Sequence, residues 1–345
     1  MRQPLKRLFR TLLPFLLLFC AFLFLLWVYF YFTQGGGKAE RQYIFQRNYT
    51  HCTWKVGEAL FADLFATTHP RVYTTDAYAI FNLGTKDDSM YYLLIDSTGE
   101  RKEIQIPFVV DEPLYNFSPR ALEWMIQNYY TRFDIQTQQR TDAPWGDSLI
   151  AAHALTDSST LYLAQIDKNN TTELAFIRKT PEGTDTVYRL PKEDYTSHVE
   201  RFLAYNGQFL HYGNYITYTA RHLPYIWIFA PEGALLTTIT TRDSVPPPVV
   251  THSGNSFVLE RGSSFNTNVA SFVLGKQLVV FSKRLSIDED FLVADLYNLT
   301  DGKYVESYRI ACDTFSNQDL WSLLVFKRQL LLEFETGLYP LEFFE

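Results

Sequence analysis

One short pattern recurs along this 345-residue chain and limits what it can fold into. An apolar run leads to a turn ending in Gly, and a second, alternating run leaves it. The stretch "FLVADLYNLTDGKYVESYRI", ending at Ile310, is the clearest copy. Others are "YYLLIDSTGERKEIQIP", "ELAFIRKTPEGTDTVYRLP", "YIWIFAPEGALLTTIT" and "QLLLEFETGLYPLEFF". Their turn glycines are Gly99, Gly183, Gly233, Gly302 and Gly337. A hairpin loop of three to five residues needs one position in the left-handed region, and Gly occupies it without steric cost. Five hairpins with one turn chemistry predict a repeated all-β unit. Aromatic residues make up 17% of the chain, which suits half-buried pleated surfaces.

Further strands are predicted before these hairpins: "SLIAAHAL" with "STLYLAQI", "RFLAYNG" with "YITYTA", "SFVLERG", "ASFVLGKQLVVFSK" and "LWSLLVFKRQ". Together they give about four strands per unit of roughly 40–50 residues, hence six or seven blades, six favoured. The fold class expected is an all-β propeller over residues 43–345. An early strand within "QYIFQRNYTHCTW" is placed to complete the last blade. One segment reads as a helical insertion, near 118–130. Ser118 would be the N-cap, Pro119 the first helical residue, and Leu122, Met125, Ile126 and Tyr129 one face.

The "DLYNLTDGKYVES" order and the "EG…RLP" endings resemble those of the six-bladed β-propeller proteins of the Bacteroidota cell envelope. The resemblance extends from Asp147 to Ile310. It implies an exported protein, often lipid-anchored in that group, with no catalytic residues carried over.

The N-terminus is of another kind. Arg2, Lys6, Arg7 and Arg10 occur in residues 1–10 without an acid, and residues 11–32 carry no charge. A bilayer-spanning helix takes about 20 apolar residues. A cleaved signal peptide has an apolar region of about 7–15. The run is therefore read as an uncleaved transmembrane helix through the lipid bilayer. The basic flank places the tail in the cytoplasm. Residues 33–42 are then a linker, and the propeller is periplasmic or otherwise extracytoplasmic. Without the four basic residues, 27 basic face 38 acidic ones. Such a domain is a poor partner for nucleic acid. Cys20 falls in the span, while Cys52 and Cys312 could be bridged outside it or be free buried thiols.

Motifs for chemistry are sparse. No P-loop, G-x-G-x-x-G, H-E-x-x-H or C-x-x-C is present, and no cofactor or metal is called for. "SGNSFVL" around Ser256 lacks the second Gly of a nucleophile elbow. Asp288, Glu289 and Asp290 form an acidic cluster whose D-x-D could hold a divalent cation, although a solvated turn explains it. His211 and His222 lie on neighbouring predicted strands. The richest surface candidate is Phe209 to Phe229, with Tyr212, Tyr215, Arg221, His222, Tyr225 and Trp227 as candidate binding residues. Such rings can stack on sugars or anchor a protein, or alternate ones can fill the core. The functional expectation is a binding or scaffolding module for an envelope protein or glycan. The alternative is a glycan-active enzyme with Asp288, Asp290, His211 and His222 converging in the funnel.

Overall fold

The computed structural model describes residues 19–26, 45–68, 70–110, 114–126, 129–145, 148–156, 158–168, 171–191, 198–243, 245–254, 256–260, 263–284, 291–312 and 314–343. Apart from one separate hairpin, the strands from Arg71 onward form six antiparallel sheets, which are the blades of a propeller. They cover 71–106, 114–144, 148–189, 207–240, 268–310 and 322–342. The first strand of each blade lies innermost, and from blade 2 round to blade 1 each of these strands contacts the first strand of the following blade. Buried clusters form between adjacent blades. Ile80, Tyr92, Trp124 and Phe133 join blades 1 and 2, and Phe176, Tyr218, Trp227 and Phe229 join 3 and 4. Middle strands are thus packed on both faces, which explains continuous apolar runs such as Tyr225–Phe229. Outer strands such as Arg101–Ile106 are mostly exposed.

The repeated turn has a local cause. In blade 5 the Asn298 side chain accepts from Thr300 N–H (2.8 Å), and Gly302 N–H donates to Asn298 O (2.9 Å). Gly302 itself sits at φ 68°, where a Cβ would be strained. In blade 1 Asp96 plays the Asn298 part, accepting from Thr98 and Glu100 N–H. Four of the five glycines mark the turn from third to outer strand. Gly337 instead joins the second and third strands of blade 6, because that blade's outer strand comes from elsewhere.

Three expectations are corrected. The segment 118–130 is not helical; Ala121–Ile126 and Tyr129–Asp134 are the second and third strands of blade 2. The consecutive residues Ala121, Leu122, Glu123 and Trp124 are all buried, so both faces of the strand are covered, whereas a surface helix would bury one stripe only. The Ser118 hydroxyl accepts from Arg120 and Ala121 N–H (both 3.2 Å), so helix-capping chemistry is used in a strand turn. Conversely, "RFLAYNG" lies largely in a helix, His198–Tyr205. It buries Ala204 and Tyr205, and Tyr205 O accepts the Tyr218 hydroxyl at 2.6 Å. Ser256–Leu259 belongs to no blade and pairs with Val250–Ser253 as a separate hairpin.

The chain's start closes the ring. Tyr49–Thr50 adds a fifth, parallel strand to blade 5, against Ser307 and Tyr308. Lys55–Val56, just past the predicted closing segment, is the outer strand of blade 6, against Glu342 and Leu341. Trp54 packs edge-on to Tyr308 and Phe343 at this junction (5.2 and 4.8 Å). Cys52 and Cys312 both touch the same core cluster there and are free thiols; burial pushes the Cys52 thiol up. Arg47 ion-pairs with Asp295 inside the protein (2.8 and 2.9 Å) and donates to Arg284 O (2.7 Å). Asp295 also accepts the Ser307 hydroxyl (2.6 Å).

Most of the predicted span 11–32 falls outside the described residues. Residues 19–26 are helical, with Phe19, Phe22, Leu23, Phe24 and Leu25 exposed. Among the described residues, no helix is long and apolar enough to cross a membrane.

Asp243 is buried beside this network and accepts the Ser282 hydroxyl (2.8 Å). Burial pushes its carboxyl up to about 7, against the opposing pull of Arg47. The folded chain therefore holds a proton that the unfolded chain releases near pH 4. This group's contribution to stability is complete below about pH 4 and is lost as pH rises towards about 7. Asp243→Asn removes that loss. In urea unfolding, the variant's stability relative to the wild type should rise by about 2–3 kcal/mol between pH 5 and pH 8. A difference independent of pH would contradict the assignment.

Candidate functional site

The inner strands all begin on one face of the ring, here the entry face. A pocket of about 370 Å³ opens there between blades 4, 5 and 6. Four chain segments build it. Arg221 comes from the loop after the second strand of blade 4. Asn266, Asn268 and Val269 come from the approach to, and start of, the inner strand of blade 5. Lys283 follows that blade's second strand, and Leu320, Trp321, Ser322 and Glu333 come from blade 6 and the loop before it.

Each wall is fixed by hydrogen bonds. The Arg221 backbone donates to Asn206 O (2.9 Å) and accepts from Thr267 N–H (2.6 Å), which joins blades 4 and 5. The Asn268 amide donates to Leu223 O (3.2 Å), while its Oδ1 is buried without a partner among the described residues. Lys283 Nζ donates to Gln318 O (2.7 Å) and Leu320 O (2.6 Å), which fastens the loop carrying Trp321 to blade 5. Burial lowers the Lys283 ammonium to about 8. On the opposite wall Glu333 is buried and accepts the Ser322 hydroxyl, its cross-strand neighbour. Burial raises the Glu333 carboxyl above the usual glutamate range, and the Ser322 hydroxyl and the Arg221 charge pull it back. Gln208 crosses the ring centre to donate to Leu323 O (2.6 Å), so the inner strands of blades 4 and 6 meet beneath the pocket.

Two lining groups have unused capacity. Among the described residues the Arg221 guanidinium makes no hydrogen bond and no ion pair. Trp321 is 45% exposed, with no ring or cation partner among the described residues.

The structure divides the sequence-predicted residues. Arg221 lines the pocket. His222 and Tyr225 lie at the same end of blade 4, outside the lining. His222 Nδ1 is 3.3 Å from Phe265 O, and burial lowers its imidazole. Trp227 is core, 2% exposed. Tyr212 and Tyr215 pair across the turn at the opposite end of the blade, where Tyr212 meets Phe272 edge-on at 5.6 Å. His211 is on that side too, beside the buried His153 ring (5.8 Å), so His211 and His222 do not converge. Asp288, Glu289 and Asp290 lie outside the described residues. Among the described residues no group of three or more His, Cys, Asp or Glu is placed to hold a metal.

Sequence reasoning missed Lys283, Trp321 and Glu333. A charge inside the apolar run "QLLLEF" was the available signal for Glu333. For the rest, convergence of four distant segments is a property of the fold.

No protein-family model matches the chain, and no curated protein matches it. Several solved structures are similar to it at low identity. One is PorZ, a surface component of the type-IX secretion system of Porphyromonas gingivalis. It is 11% identical, with 79% of this chain and 32% of that chain covered and a TM-score of 0.38. Another is the extracellular domain of a putative one component system of B. thetaiotaomicron: 12% identical, 79% and 33% covered, TM-score 0.42. A third, from Bacteroides vulgatus, belongs to a family of unknown function: 9% identical, 84% and 95% covered, TM-score 0.43. This chain spans about a third of the length of the first two.

The Glu333 environment is testable. Its side-chain carboxyl, followed by carbon-13 NMR, should titrate above the ordinary glutamate range. It should move higher still in Arg221→Met, which deletes the nearby positive charge. An unchanged titration in the variant would contradict the proximity of the two groups.

Proposed function

We propose that this chain is an envelope binding module whose ligand seat is the entry-face pocket. It is anchored through residues 11–32 with its N-terminus in the cytoplasm and its propeller exported. The anchor and its orientation are supported by the basic flank, the uncharged run and the exposed apolar helix at 19–26. The observation that carries the binding role is the pocket itself. Loops on a rigid ring hold a cavity whose lining includes a cation and an aromatic ring, neither used by the fold. The class of partner is an envelope protein or a glycan.

The enzymatic alternative has less behind it. Paired-carboxylate chemistry on glycosides takes two acids flanking the bond. Among the described lining residues, Glu333 is the single carboxyl.

Photo-crosslinking in cells tests the reading. A photoreactive amino acid at Trp321 of the full-length protein should give one discrete adduct. The same group at Tyr212, on the opposite face, should give none. Adducts from Tyr212 alone would place the binding surface on the other side and overturn the assignment.

A further inference from the structure

We infer that the pocket takes an acidic sugar unit, a ring with a carboxylate, held by Arg221 at the charge and by Trp321 at the ring face. This inference rests on the binding-module reading and names its ligand class. A planar guanidinium without a protein partner matches a carboxylate in two parallel hydrogen bonds. Arg221 is such a group, in a chain where 38 acidic residues outnumber 31 basic ones. The acid nearest at hand does not neutralise it. Glu333 is turned to the Ser322 hydroxyl, and its burial favours the uncharged form.

The other lining groups suit a polyol. Asn266 and Asn268 present amides, and the Asn268 Oδ1 awaits a donor. Ser322 adds a hydroxyl. The Lys283 ammonium is occupied by two carbonyls, so the pocket offers one free fork, not the cluster of cations that a phosphate favours. The open Trp321 indole provides an apolar face of the kind on which sugar C–H groups stack. A volume of about 370 Å³ lies at the small end for ligand pockets and is bounded by three blades. It suits one compact ring better than an extended peptide.

The test is calorimetric titration of the full chain in detergent with glucuronate, glucose and inorganic phosphate. Glucuronate should bind, roughly tenfold or more tighter than glucose, the worth of one charge-assisted contact. Arg221→Met should remove that advantage, so that glucuronate binds no tighter than glucose. Trp321→Ala, at an exposed position, should weaken both sugars. Each variant must unfold at the wild-type temperature to count. Equal affinity for glucose and glucuronate, or phosphate binding as tightly as glucuronate, would overturn the proposal. Absence of binding by any of the three, with the Trp321 crosslink still formed, would reject the sugar and leave the module reading standing. Loss of the crosslink as well would remove both.

Discussion

The Arg47 guanidinium on Asp295 holds this ring shut. A propeller has a first and a last blade, and something must join them. Here the joining segment is short: two residues in blade 5 and two in blade 6. Strands of that length have little pairing energy of their own, and their register could slip. The buried ion pair fixes it. Both side chains are almost wholly inside, and the carboxylate is further satisfied by Ser307 while the guanidinium also donates to Arg284 O. A buried pair with every group bonded can be close to neutral in net stability, yet removing one partner leaves the other charge stranded.

Closure and pocket are contiguous in the chain. Ser282 ends one strand of blade 5, and Lys283 and Arg284 follow it. Ser282 donates to Asp243, Lys283 pins the Trp321 loop, and Arg284 O accepts from Arg47. Asn317 adds a second tie, donating to Ser282 O (2.9 Å) and Val293 O (2.7 Å). Holding the N-terminal segment in place thus holds the walls of the pocket. This is how a ring of sheets can present an Arg and a Trp in fixed positions on loops.

Much of the fold was legible because its cause is local. Turns built on Asp96 or Asn298 with a following glycine state their geometry in sequence, and the recurrence together with chain length pointed to six or seven blades, of which the structure has six. The errors have physical reasons too. In 118–130 Ser-Pro capping chemistry and a helical spacing of apolar residues coexist with strand burial, and packing from both sides decided the outcome. The helix at His198–Tyr205 was hidden because its apolar residues also read as strand. Arg221 was singled out for the company of aromatic residues, of which Trp227 is core, Tyr225 lies outside the lining, and Tyr212 and Tyr215 lie at the opposite end of the blade. Its actual company, Lys283, Trp321 and Glu333, lies far along the chain, brought to it by the side-by-side packing of blades 4, 5 and 6. No local pattern encodes that.

The most direct measurement is equilibrium unfolding of full-length Arg47→Met with amide hydrogen exchange over blades 5 and 6. The account predicts a loss of about 3–5 kcal/mol from the stranded Asp295. It also predicts faster exchange at Leu331, Leu332 and the strand that Lys55–Val56 covers. A loss under about 1 kcal/mol with unchanged exchange would show that the ring closes without this pair.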